Sequence, residues 1–178
     1  MGASKLIDEA LEALRDFEVG KDQLNERSAM ILLALLQLKD GDSWEQATNP
    51  MLGTRAIMDW IRDQFDVPYK PNTRETIRRF SLHQFIIAGF VEENADKPDR
   101  ATNSPKWNYR VTNEALKVFQ NRGKSVFEPL LEKFLRKHPS YASLSEERRN
   151  MPKTPVTLPS GVALNLSPSG QSVLIKAM

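Results

Sequence analysis

The chain contains no cysteine, which excludes a disulfide framework, a thiolate zinc site and a cysteine nucleophile. Histidine is almost as scarce. His83 and His138 are the only two, leaving little for a metal centre or a Ser-His-Asp site. Long apolar runs are missing too: Ala29–Leu36 is the longest, far short of the roughly 20 residues that span a bilayer. Asp8, Glu9 and Glu12 occupy the place where a signal peptide would be apolar. These absences predict a soluble cytoplasmic protein with no membrane partner. Phosphate-loop, dinucleotide, zinc-protease and nucleophile-elbow motifs do not occur. Glu92 and Glu93 are the nearest approach to a carboxylate pair at a strand. Without a lysine beside them they read as a solvated strand end. No catalytic residue, metal ligand or cofactor is assigned to this chain.

What is present is ordinary in amount and uneven in arrangement. The 178 residues, 40% hydrophobic and 27% charged, have the balance of a folded domain with a small appendage. A chain of this size buries roughly 70% of its unfolded surface and needs no staple. The net charge of +2 conceals a polarity. Residues 1–69 carry 7 basic and 13 acidic side chains, and residues 70–110 carry 8 and 5. Residues 111–153 carry 9 and 5. An acidic first third joined to a basic remainder is a reason to look for a polyanionic partner.

Periodicity predicts a mainly helical chain. Ile7, Ala10, Leu11 and Leu14 form an amphipathic stripe that Ser4 could cap, and a more apolar helix follows to Asp40-Gly41. Ser43 to Gln46 has capping-box spacing, and Ile57, Met58, Ile61 and Phe65 mark a helix over 54–65. Pro68 and Pro71 break the chain. The next helix is expected to start at an Asn72 cap, with Glu75 completing a capping box, and to stop at Gly89. Its anchors are read as Ile77, Phe80, Phe85, Ile87 and Ala88, with His83 as a packed histidine. A hairpin follows, with strands at Phe90-Val91 and Trp107–Val111 and a loop over 92–106. Helices are then expected over 112–120, from a Ser125 cap to His138, and from Ser143 to Asn150. A small hairpin over 155–166 and a helix starting at Ser167-Pro168 complete the chain. Trp44, Trp60 and Trp107 read as core or hinge aromatics.

Helix, proline-broken turn, arginine-bearing helix and hairpin form the order of a winged helix-turn-helix, whose second helix enters the major groove of DNA. The fold class is therefore mainly α with small β-hairpins: a winged helix-turn-helix with additional N- and C-terminal helices. Its segments are an N-terminal helix (1–20), a core (21–122), a helical extension (123–153) and a final hairpin with a connection (154–178). Candidate DNA-binding residues are Asn72, Thr73, Arg74, Arg78 and Arg79 on the helix, with Lys97, Arg100, Asn103 and Lys106 in the hairpin loop. Arg74 or Arg78 has the fork for a guanine edge and Asn72 the amide for an adenine, while the loop residues suit phosphates. A plainer reading stands beside this one. Glu75 and Arg79 have the spacing of a surface ion pair worth about 0.3–0.5 kcal/mol, and Asn72 could be only a cap worth about 1 kcal/mol. A stand-alone winged-helix transcriptional regulator and a protein-interaction module also remain open.

Several strings together carry a resemblance. Asn25-Glu-Arg-Ser-Ala, Leu32-Leu-Ala-Leu-Leu, Gly41-Asp-Ser-Trp, Ala47-Thr-Asn-Pro-Met-Leu-Gly and Pro71-Asn-Thr-Arg-Glu-Thr come first in order. His83-Gln-Phe, Asn103-Ser-Pro-Lys, Pro155-Val-Thr-Leu-Pro, Leu166-Ser-Pro and Leu174-Ile-Lys-Ala follow. Over about residues 20–178 the sequence resembles the N-terminal domain of the BsuBI/PstI family of type II restriction endonucleases. The resemblance implies a winged-helix region that binds the recognition duplex ahead of a magnesium-dependent PD-(D/E)xK nuclease domain. It also implies a homodimer on a palindromic double-stranded site such as CTGCAG. Because the sequence stops at Met178, in the helix expected to lead into the nuclease, the catalytic carboxylates and lysine are expected to be missing. Only binding roles carry over.

Overall fold

The computed structural model describes residues 2–139 and the two strands Thr154–Thr157 and Ala163–Leu166. By packing, the chain forms two compact units, Met1–Tyr141 and Ala142–Met178. In the first unit the helices are α1 (Gly2–Asp16), α2 (Glu26–Leu36), α3 (Thr54–Phe65), α4 (Thr73–Ile77), α5 (His83–Ile87), α6 (Asn113–Gln120) and α7 (Phe127–Lys137). Strands β1 (Val91–Glu93) and β2 (Tyr109–Val111) pair antiparallel, with Val91 opposite Val111. In the second unit β3 (Thr154–Thr157) pairs antiparallel with β4 (Ala163–Leu166), as the sequence predicts. The helices expected at 143–150 and from Ser167 lie outside the described residues, as does the turn at 159–161.

One core holds the first unit together. α2 is buried along its whole length from Ser28 to Leu36 and forms its axis. α1 packs on it through Leu6, Ala10, Ala13, Leu14 and Phe17. Phe17 stacks on Phe119 of α6 at 4.4 Å between ring centroids and meets Phe134 of α7 edge-on at 5.0 Å. Phe85 of α5 and Phe90 ahead of β1 join the same cluster at 4.9 Å. The segments read separately as 1–20 and 123–153 thus contribute, through α1 and α7, to the core of the middle segment. Aromatic contacts of this kind add roughly 0.5–1.5 kcal/mol each beyond area burial.

Helix ends differ from the sequence expectations in instructive ways. α1 begins at Gly2, so Ser4 lies inside it and is not its cap. α2 is capped by the Asn25 side chain, which accepts from the Ser28 N–H at 3.0 Å. It stops at Gln37 rather than at Asp40-Gly41: Gln37 adopts the left-handed conformation at φ 56°, and the Leu38 N–H reaches back to the Leu33 carbonyl at 3.1 Å. Burial of Leu38 fixes this turn and carries a non-glycine residue into left-handed space. Ser125 does not cap α7, which starts after Val126 with no side-chain cap. Thr112 does cap α6, accepting from the Ala115 N–H at 3.2 Å.

The helix after the proline-broken turn departs most. α4 and α5 are joined by a π-helical segment, Arg78–Leu82, in which the His83 N–H bonds the Arg78 carbonyl. A π turn inserts one residue and rotates everything after it relative to a 3.6-residue period. The buried face nonetheless keeps ordinary helical spacing: Ile77, Ser81, Phe85 and Ala88, with Leu82 beside them, face the core. Phe80, expected as an anchor, is 52% exposed, and Ile87 is also exposed. His83, expected to be packed, is exposed as well. Docking onto α2 runs through two small buried hydroxyls, Ser28 Oγ and Ser81 Oγ, 3.1 Å apart. Asn72 is itself helical (φ −64°, ψ −23°) and caps nothing with its side chain, because the Thr73 and Arg74 N–H groups bond the Lys70 and Pro71 carbonyls.

Candidate nucleic-acid interface

The hairpin stands beside α4 because its second strand is held on both edges. Tyr109 pairs with Glu93 of β1 on one side. On the other it exchanges two backbone hydrogen bonds with Leu52, each 2.9 Å, just before α3 begins. Asn49 adds a bond from Nδ2 to the Val111 carbonyl at 2.9 Å. The segment leading into α3 and the base of the hairpin are thereby locked to one another.

Between them lies an open groove of about 920 Å³. Gly53, Thr54 and Arg55 form one wall, Asn72, Arg74, Glu75 and Arg78 the floor, and Thr102, Asn103, Ser104 and Trp107 the other wall. Of the residues named from sequence, Asn72, Arg74, Arg78 and Asn103 therefore meet around one cleft. Arg74 is exposed and makes no ion pair among the described residues. Arg78 is more constrained. Its Nε donates to the Tyr109 hydroxyl at 3.4 Å and its NH1 to Glu75 Oε2 at 3.3 Å. The Tyr109 bond, ahead of Glu75, raises the Arg78 pKa further above its ordinary value. The expected Glu75–Arg79 pair is not formed; Glu75 pairs with Arg78 instead.

Other candidates fall elsewhere. Arg79 is exposed and lines a second, smaller groove of about 440 Å³ with Phe80, His83, Glu93 and Tyr109, a groove that Glu75 and Arg78 also border. Thr73 is half-buried. Lys97 and Lys106 are exposed on the hairpin loop, Lys106 on a face it shares with Met51 and Trp107.

Arg100 has an internal role in place of the expected phosphate contact. Its side chain is only 9% exposed. The guanidinium donates to Asp96 Oδ2 at 2.5 Å, to Asn94 Oδ1 at 3.3 Å and to the Lys106 carbonyl. Asn108 Nδ2 reaches the other Asp96 oxygen at 2.9 Å. Hydrogen bonds from Asn108 and then Arg100 hold the Asp96 carboxyl below its usual range.

Sequence reasoning missed Arg55, Glu75 and Tyr109 as parts of the site. Arg55 follows a glycine cap and has a side chain 92% exposed, but nothing in its string announces the groove. Tyr109 reads only as an alternating strand residue.

Trp44, Trp60 and Trp107 are partly buried and pack against the core. Trp44 Nε1 donates to Glu9 at 3.0 Å, and Trp107 Nε1 donates to Glu93 at 3.2 Å. Among the described residues no helix is long and apolar enough to cross a membrane.

Two helices joined by the proline-broken connection, the second bordering an open groove with three arginines, define a helix-turn-helix class. The family described as the BsuBI/PstI restriction endonuclease HTH domain matches residues 4–143, and the chain belongs to that family. It is 34% identical over 177 residues to the type II restriction enzyme BsuBI of Bacillus subtilis, covering 99% of this chain and 56% of that protein. It is 29% identical over 174 residues to the type II restriction enzyme AplI of Arthrospira platensis, covering 98% and 53%. The solved structure of the SdaI restriction endonuclease matches with a TM-score of 0.72 at 37% identity, over 97% of this chain and 54% of that one. The chain thus spans about half the length of the relatives it matches.

Proposed function

We propose that this chain binds double-stranded DNA sequence-specifically, as the recognition region of a type II restriction endonuclease acting in the cytoplasm. The hairpin acts as a wing, and two copies read the halves of a palindrome of the CTGCAG kind. The observation that carries this reading is the groove in which Asn72, Arg74 and Arg78 face Asn103 across one open cleft. A major groove admits a helix, and it displays the guanine and adenine edges that arginine forks and asparagine amides match. Arg74 and Arg78 read bases; Asn103, Lys106 and Lys97 position the phosphates. Arg79 adds charge at the second, smaller groove.

Cleavage, on this reading, belongs to a magnesium-dependent nuclease domain outside the described residues. Among those residues no cluster of three or more His, Asp or Glu side chains could hold a metal ion. No step of the reading runs through one here.

The test is a titration of the 178-residue chain against a CTGCAG duplex and scrambled duplexes at several salt concentrations. Tighter binding to one sequence, with a log–log salt slope equal to about 0.9 per neutralised phosphate, is expected. Equal affinities and equal slopes would reduce the activity to backbone binding. No binding at low salt would sink the reading altogether.

A further inference from the structure

We infer that Tyr109 is a specificity-determining positioning residue, its buried hydroxyl aiming the Arg78 guanidinium at a guanine edge. The inference rests on the DNA-binding reading above and adds to it a residue on the wing strand that touches no base itself.

Tyr109 is 3% exposed, and its backbone is fixed from both sides by Leu52 and Glu93. The position of its hydroxyl is therefore set by the sheet and not by a free rotamer. Among the described residues, that hydroxyl has one side-chain partner, Arg78 Nε at 3.4 Å. Glu75 Oε2 holds NH1 of the same guanidinium at 3.3 Å. With Nε given to Tyr109 and one NH1 hydrogen to Glu75, NH2 and the second NH1 hydrogen are the donors left to meet O6 and N7 of a guanine.

An arginine side chain has rotamer freedom to lose, so a fork already held in place loses less on binding. A fork that is not held can still meet a phosphate, because that contact needs charge and little geometry. Tyr109 should consequently influence discrimination between bases and leave non-specific binding alone. The same hydroxyl couples the hairpin to the helix, so the wing and the base-reading arginine are placed by one strand.

The experiment is a double-mutant cycle on the full chain, with Tyr109→Phe, Arg78→Ala and both together. Each is titrated against the preferred duplex and against duplexes carrying 7-deazaguanine at single positions. Loss of N7 at one position is expected to weaken wild type about 10-fold and Arg78→Ala not at all. Tyr109→Phe should reduce that N7 effect to about 3-fold, with the salt slope and the affinity for scrambled DNA unchanged. It should have no further effect in the Arg78→Ala background.

A Tyr109→Phe chain that keeps the full N7 effect overturns the inference. So does equal weakening of Tyr109→Phe with and without Arg78, or loss of folding in Tyr109→Phe, since either makes Tyr109 structural only. Failure of wild type to prefer any duplex is a separate result. It would remove the DNA-recognition reading and not merely the role of Tyr109.

Discussion

The helix after the proline-broken turn and the hairpin loop beside it both carry arginines, yet they use them in opposite ways. Arg74 and Arg79 are exposed and make no ion pair among the described residues, whereas Arg100 is enclosed by Asn94, Asp96 and the Lys106 carbonyl. The reason lies in the backbone. A helix satisfies its own N–H and C=O groups, which leaves its side chains for other partners. The loop between β1 and β2 has the Asn94–Asn108 bond and isolated turn bonds in place of a ladder, and side chains satisfy further polar groups such as the Lys106 carbonyl. Arg100, Asn94 and Asn108 do that work. Charge in a helix can therefore be read as a surface for partners more safely than charge in a long loop.

The hardest blow to this arrangement is at Gly89, where helix turns into hairpin. Gly89 has φ +85°, and a Cβ there would lie 2.6 Å from the His138 ring nitrogen Nδ1. Gly89→Val should cost about 3 kcal/mol in denaturant unfolding, combining left-handed strain with the clash. A cost below 1 kcal/mol would show that the turn relaxes and that the two regions are not rigidly joined.

Next in size is Arg74→Ala. Affinity for the preferred duplex should fall by about 1–3 kcal/mol with relaxed sequence preference, while the melting temperature stays the same. Unchanged affinity and preference would place base reading elsewhere.

Arg100→Ala should show the opposite signature. Hydrogen-exchange protection at the Asn94 and Asn108 amides should drop about tenfold, with no change in the salt slope of DNA binding. A slope lowered by about 1 would mean that Arg100 meets a phosphate after all. Lys97→Ala is the matched control, expected to lower the slope and leave protection intact.

The smallest effect is one of pH. The Asp96 carboxyl is held below its ordinary value first by Asn108 and then by Arg100. Its stabilisation of the loop is thus present above the unfolded carboxylate value of about 3.9 and lost as pH falls through the lower folded value. Loop protection should be flat from about pH 5 to 8 and decline only below about 4. In Asp96→Asn the decline should disappear; a decline that persists there would implicate another group.

How far the molecule is legible from its sequence varies by element. α3 begins and ends where periodicity places it, at Thr54 and Phe65, because an unbroken stripe of Ile57, Met58 and Ile61 leaves no other phase. The cationic helix and the hairpin after it are equally visible. The exposure of His83 and Phe80 is not, since residue type favours the interior for both while their positions lie off the Ile77, Ser81, Phe85 and Ala88 stripe. Nor is the end of α2 at Gln37, which a search for glycine misses. Within the site, Asn72, Arg74, Arg78 and Asn103 are found by residue type and order. Arg55 is found only when α3 is seen to border the groove, and Tyr109 only through its hydroxyl contact with Arg78.

Sequence alone thus determined the helical character, the family membership and the placing of positive charge after residue 70. Those properties are local or compositional, and they survive without knowing what packs on what. Tertiary structure decided which charges are free, which face the arginine-bearing helix turns to the core, and that a hairpin tyrosine contacts Arg78. Each of those depends on contacts between residues far apart in the chain, such as Leu52 with Tyr109 and Ser28 with Ser81, and no local pattern encodes such a pairing.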